Sequence, residues 1–125
     1  DDAEAAYFAE TGIFPIMHTL AMPRELNARH PWIATSLYKA FVAARDLAHE
    51  RLRETTALSV MLPFLPLDYE RTTELMGADY WSYGLDANRH VLETFLRYHH
   101  EQGLSPRRVA PEELFAPQTV EFFAI

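Results

Sequence analysis

No cysteine occurs in the 125 residues, which excludes a disulfide framework and any thiolate metal site. That is compatible with either side of a membrane. Only four glycines are present, and none forms a glycine-rich phosphate loop, which argues against nucleotide binding. Basic charge is also scarce. Eleven Lys and Arg face eighteen Asp and Glu, a net charge of -7, with no basic stripe to engage nucleic acid or an anionic membrane surface. No apolar run approaches the ~20 residues of a membrane span. Asp1-Asp2-Ala3-Glu4 has neither the basic start nor the apolar core of a signal peptide. What remains is 49% hydrophobic and 23% charged, an ordinary globular composition, and the length allows one domain at most.

Most of the chain reads as helix. Asp2 to Glu10 predicts a short helix ended by Gly12, and Pro23 to Arg29 a second one stopped before Pro31. From Pro31 to about Arg53, Ile33, Leu37, Ala40, Phe41, Ala44, Leu47 and Ala48 recur at helical spacing. Thr55 or Thr56 is placed to cap a helix through Leu62. Helical character resumes from Leu67 to Met76, with Gly77 as its stop, and an aromatic loop covers Ala78 to Leu85. Asp86 is then expected to cap a helix running to about Gln102 and ended by Gly103. A final short helix starts at Pro111, and Thr119 to Ile125 stays open between strand and helix.

The exception is Ile13 to Leu20, an apolar run too short for a typical helix and bounded by Gly12 and Pro23. It reads as a strand apolar on both faces, as in a covered α/β sheet. A lone buried strand leaves its backbone N–H and C=O groups unpaired, so the chain reads as part of something larger. The expected fold class is mainly α with one or two short strands, an α/β fragment forming a single unit over 1–125. Alone, it should hide its exposed strand edge by self-association, as a possible homo-oligomer, or against its C-terminal segment.

Two stretches carry a family resemblance. One is Thr11-Gly-Ile-Phe-Pro-Ile-Met-His-Thr19 with Arg29-His-Pro-Trp-Ile33. The other is Tyr83-Gly-Leu-Asp-Ala-Asn-Arg89 with Leu92-Glu-Thr-Phe-Leu-Arg-Tyr98 and Glu101-Gln-Gly-Leu104. Together they resemble the C-terminal part of 4,5-dihydroxyphthalate decarboxylase-like proteins, which are similar to the type II periplasmic-binding-protein fold of two α/β lobes around a cleft. The stretch from about Glu54 to Leu67 matches least sharply. The resemblance implies that Ile13–Leu20 returns through the hinge to join the first lobe's sheet. Its partner strands would lie in a missing N-terminal lobe, without which the fragment would not turn over substrate. His90, His99 and Ala110 take no role from the resemblance.

Decarboxylation of a dihydroxyphthalate needs a base for the hydroxyl proton para to the departing carboxylate, and an acid to protonate the ring carbon. An imidazole can serve either step without a cofactor. On a hinge strand His18 would face the cleft. The alternative is a buried histidine hydrogen-bonded to backbone. Arg89 could hold the retained carboxylate of a small aromatic acid bidentately. Equally, it could pair with Glu93 one helical turn on. Tyr80, Trp81 and Tyr83 could stack on an aromatic ring or simply seal a helix junction. Thr19 beside His18 and Asn88 beside Arg89 complete the substrate-binding set that the resemblance implies.

Six histidines raise the question of a metal. His99 and His100 diverge around a helix, and neither His90 nor His99 has a ligand at i+4, so no metal site is expected. Two functions follow from the resemblance: a cytoplasmic aromatic-acid decarboxylase, or a periplasmic solute-binding protein of a transporter. Fold alone does not choose between them.

Overall fold

The computed structural model describes residues 2–120. Helices α1 (Asp2–Thr11), α2 (Arg24–Arg29), α3 (Trp32–Arg53), α4 (Leu65–Met76) and α5 (Leu85–Glu101) follow in order. A 3-10 turn at Pro111–Glu113 and the short α6 (Pro117–Val120) close the described chain. All but one of the expected helices are there, three of them ended by the glycines named from sequence. Gly12, Gly77 and Gly103 all have positive φ, the left-handed geometry that closes a helix without a Cβ penalty. The Gly12 N–H donates to the Phe8 carbonyl and that of Gly77 to the Thr73 carbonyl.

Two expectations fail. Ile13–Leu20 is neither helix nor strand, and among the described residues there is no strand anywhere. The physical reason lies in the ladder: a strand persists only where a neighbour accepts and donates its backbone bonds. Here Phe14 to Leu20 are exposed rather than covered on two faces. The helix expected from Thr55 to Leu62 is absent as well; bends and turns replace it. Instead of capping a helix, Thr56 donates both its N–H (2.8 Å) and its hydroxyl (2.5 Å) to the Glu54 carboxylate. Leu62, before Pro63, is disfavoured from the α region. Thr119 and Val120 are helical, and the rest of the ambiguous Thr119–Ile125 segment lies outside the described residues.

The chain divides into two compact units. The first contains the N-terminal residues through Gly12 with Lys39–Ser82, and in it α1 packs on α4. Arg45 of α3 is its fastener. Its guanidinium donates to Asp46 (2.8 Å), to Asp79 (3.0 Å) and to the Trp81 carbonyl (3.4 Å), pinning the turn that follows α4.

The second unit runs through Ile13–Tyr38 and from Tyr83 onward. Its centre is α5, where Leu85, Leu92 and Leu96 fall at i, i+7 and i+11 and so share one stripe. These three are the buried hydrophobic side chains among the described residues, and Pro111 of the 3-10 turn packed on α5 is buried too. The Gln118 amide reaches back to the Asn27 side chain and to the Pro31 carbonyl, tying α6 to α2 and the approach to α3.

Asp86 does not cap α5; Gly84 stands at the N-cap with φ 98°. A Cβ built there would lie 3.0 Å from the Tyr38 hydroxyl, so the position demands glycine on conformational and steric grounds. Gly84→Ala is therefore expected to cost about 2 kcal/mol. A urea melt of the variant alongside Gly103→Ala, where no atom crowds the added methyl, separates the clash from the φ penalty.

The amount of surface is unusual. Two separate globules of the size of these units would together expose about 8,200 Å². The chain exposes 9,695 Å². Among the described residues, three buried leucines are a thin core, and much apolar surface is left to water.

Candidate functional site

The start of α5 gathers three of the residues named from sequence. Tyr83 leads into the Gly84 turn, and one helical turn on the Asn88 amide donates to the Gly84 carbonyl (2.9 Å), holding the turn against the helix. Arg89 follows. Its guanidinium meets Asp86 at 3.0 Å, Glu93 at 3.9 Å and Glu112 of the 3-10 turn in a short contact. Hydrogen bonding to Glu112 first, and to Asp86 next, raises the Arg89 pKa, while Glu112 is held below the usual carboxylate range by the same bond. The Arg89 charge, in the second turn of α5, is thus compensated on three sides. The fork of Arg89 is occupied by carboxylates of its own chain.

A second clamp stands beside it. Arg107 engages Glu113 bidentately, at 2.9 Å to one oxygen and 2.6 Å to the other. The Ala110 N–H donates to the same carboxylate at 2.9 Å. The Arg107 hydrogen bond, helped by that N–H, lowers the Glu113 pKa from 4.5 to about 2. A hollow of 440 Å³ adjoins, lined by Glu93, Arg108, Val109, Ala110, Pro111, Glu112 and Glu113.

The sign of the linkage follows from the depressed folded-state value. Stability from the Glu113 carboxylate is complete above about 4.5 and fades as pH falls toward 2. Because the pair is exposed, the effect is screened by salt. Glu113→Gln is expected to destabilise the chain at pH 7 and to converge with the parent near pH 2. Chemical denaturation across that range, at low and high salt, checks both the convergence and the screening.

His18 and Thr19 belong to the same unit but lie on the exposed, irregular segment between α1 and α2. No hydrogen bond or ion pair joins either to the α5 turn among the described residues. Trp81 and Tyr80 belong to the first unit, where Trp81 is exposed and its carbonyl accepts from Arg45. Tyr83, Asn88 and Arg89 thus share the start of α5, while His18 and Thr19 sit on the segment before α2.

A cluster in the first unit escaped sequence reasoning. His49 of α3 stacks on Tyr80 with centroids 4.8 Å apart, and Tyr69 of α4 meets both rings edge-on at 6.5 and 6.1 Å. One turn after His49, Arg53 donates to the Tyr69 hydroxyl at 2.7 Å. That bond raises the Arg53 pKa, and burial raises that of Tyr80. The i, i+4 spacing of His49 and Arg53 was visible beforehand, but the two tyrosines lie far along the chain. A second hollow, of 520 Å³, runs along α4 beside Phe64, Leu67, Asp68, Glu70, Arg71 and Glu74. Among the described residues, no three His, Asp or Glu side chains converge on a point that could hold a metal. None of the described helices is long and apolar enough to cross a membrane.

No family model matches the chain. Over 123 residues it is 43% identical to a 4,5-dihydroxyphthalate decarboxylase of Comamonas testosteroni, an alignment covering 98% of this chain and 37% of that protein. The chain is similar to that decarboxylase along nearly its whole length. The resemblance read from the Thr11–Ile33 and Tyr83–Leu104 motifs is borne out, and the match is consistent with a C-terminal fragment of such a protein. The chain spans 37% of the length of the curated relative it matches.

Proposed function

We propose that this chain is the C-terminal portion of an enzyme that decarboxylates a hydroxylated aromatic dicarboxylic acid of the 4,5-dihydroxyphthalate class. The observation that carries the reading is the 43% identity across 98% of the chain to a decarboxylase of that name. The thin core and the surplus of exposed surface support the accompanying claim that further polypeptide, an N-terminal lobe, completes a two-lobed fold and its cleft. In this reading the irregular, exposed Ile13–Leu20 segment faces that cleft and offers the imidazole of His18 to the substrate.

The chemistry assigned to His18 balances simply. As the bond from the ring to the carboxylate breaks and carbon dioxide departs, its electron pair stays on the ring carbon, which then takes a proton from an acid. The retained carboxylate falls to Arg89, which must exchange Asp86 or Glu112 for the ligand to accept it bidentately. Within the second unit, the reading assigns Tyr83, Asn88 and Thr19 to the ring and its hydroxyls. The name of the relative favours an enzyme over a transporter's solute-binding protein.

The test is carbon dioxide release by the complete polypeptide supplied with 4,5-dihydroxyphthalate. Turnover upholds the reading. Tight binding of the diacid without turnover transfers the protein to the solute-binding class, and neither binding nor turnover discards the substrate class.

A further inference from the structure

Arg89 is held by one contact that neither side needs for its own structure. Its guanidinium meets Asp86 at 3.0 Å and Glu112 in a short contact, while Glu93, at 3.9 Å, is outside hydrogen-bond reach. Asp86 is the local partner. It precedes Arg89 by three residues and sits in the first turn of α5, where the helix dipole favours an acid. Glu112 comes from the 3-10 turn, 23 residues further along the chain. That turn is secured without it. Pro111 is buried where the turn packs on α5, and Glu113 is fastened to Arg107 by two hydrogen bonds and to the Ala110 N–H by a third. Of the two adjacent glutamates, Glu113 closes the turn and Glu112 is left to face Arg89. Both ends of the Arg89–Glu112 contact are open to water, with 39% of one side chain and 46% of the other exposed, so a carboxylate in solution can reach it.

We propose that Glu112 is a built-in competitor for the substrate's carboxylate: it occupies Arg89 in the free protein, a small aromatic acid displaces it, and it thereby sets how tightly that acid binds. The inference rests on the reading of Arg89 as the carboxylate anchor, and goes beyond it by naming which acid around Arg89 gives way. Glu112 carries the same functional group as the ligand. The exchange therefore swaps one charge-assisted hydrogen bond for another, and Arg89 stays paired throughout. Asp86 keeps its own bond, so the guanidinium is still held while its second partner changes. The cost falls on affinity. A ligand binds only those molecules in which Arg89 is open, and its apparent dissociation constant rises in inverse proportion to their fraction. The released Glu112 carboxylate also stays near the incoming anion and repels it.

Phthalate is the probe, since it lacks the ring hydroxyl from which the reaction's base takes a proton. Isothermal titration calorimetry of the complete polypeptide is expected to show that Glu112→Gln lowers the phthalate dissociation constant about fivefold, through loss of the competitor and of its charge. Glu101→Gln removes the same charge at the far end of α5, where Arg97 lies 3.8 Å away, and should leave the constant unchanged. Arg89→Ala should weaken binding, and in that background Glu112→Gln should bring no gain. A constant unchanged or raised by Glu112→Gln overturns the proposal, because cutting a contact that merely braces the fold does not tighten a ligand. A gain that survives Arg89→Ala overturns it too. The two levels fail separately: if Arg89→Ala weakens binding and Glu112→Gln does not tighten it, the anchor stands and the competitor falls. Binding indifferent to Arg89→Ala, or no binding of phthalate by the parent, discards both. Should Glu112→Gln misfold, Glu112→Asp decides, since it keeps the charge but falls one methylene short of Arg89. That variant should tighten binding about twofold, and no tightening again overturns the proposal.

Discussion

Truncating Leu92 to alanine is expected to remove about 3 kcal/mol from the stability of the unit that contains α5. Leu92 is 7% exposed and sits between Leu85 and Leu96 on the buried stripe of α5. Deleting its isobutyl group loses transfer free energy and leaves a cavity that a helix tethered at both ends cannot readily close. At the Gly84 end, the Asn88 amide and the Arg89 carboxylate network hold the backbone. At the other, the Gln102 N–H donates to the Tyr98 carbonyl and the Leu104 N–H to that of His99. Domains hold only about 5–15 kcal/mol in total, so with a core of three leucines this one substitution consumes a large share. Urea unfolding followed by circular dichroism provides the measurement. Leu104→Ala, at an exposed leucine, should stay within about 0.5 kcal/mol of the parent. A Leu92→Ala loss below 1 kcal/mol would mean that the stripe is not the organising core of the unit.

The same stripe shows what could be read from sequence and what could not. Helical spacing and glycine stops gave α1, α3 and α5 nearly to the residue, because both signals are local: a period of 3.6 and a backbone turn that only glycine makes cheaply. The start of α5 went astray for an equally local reason. Asp86 has the right side chain for a cap, yet its carboxylate is drawn to Arg89, and Gly84 takes the N-cap with φ 98° and the Tyr38 hydroxyl only 3.0 Å from where a Cβ would lie. That crowding comes from a residue 46 positions earlier and leaves no trace in the local pattern. Ile13–Leu20 failed differently. Its composition suits a strand, but strand formation is a property of a pair, and no other strand exists among the described residues. At the candidate site, the Arg89–Glu93 pairing was foreseeable from i, i+4 spacing, whereas Glu112 was not, since it depends on how the 3-10 turn packs on α5. The ring cluster of His49, Tyr69 and Tyr80 was hidden for the same reason.

The largest expected effect belongs to His18. In the complete polypeptide, His18→Ala should lower carbon dioxide release from 4,5-dihydroxyphthalate by about 10²–10⁴-fold, the usual contribution of a positioned general acid or base. That corresponds to about 3–5 kcal/mol in the barrier. The fall should appear in kcat, with KM little changed, because proton transfer to the ring carbon occurs in the transition state while the diacid is held by other groups. Two features of the structure make the variant clean. His18 lies on an exposed stretch with no helix to break, and it makes no hydrogen bond or ion pair whose loss would unsettle the α5 turn. A thermal midpoint equal to the parent's should therefore accompany the loss of turnover. Binding of a non-reactive aromatic diacid should persist in the variant, which separates a proton-transfer role from a binding one. Turnover within threefold of the parent would place the acid and base of the reaction elsewhere in the polypeptide, and a matched rise in KM and in diacid dissociation constant would make His18 a binding residue instead.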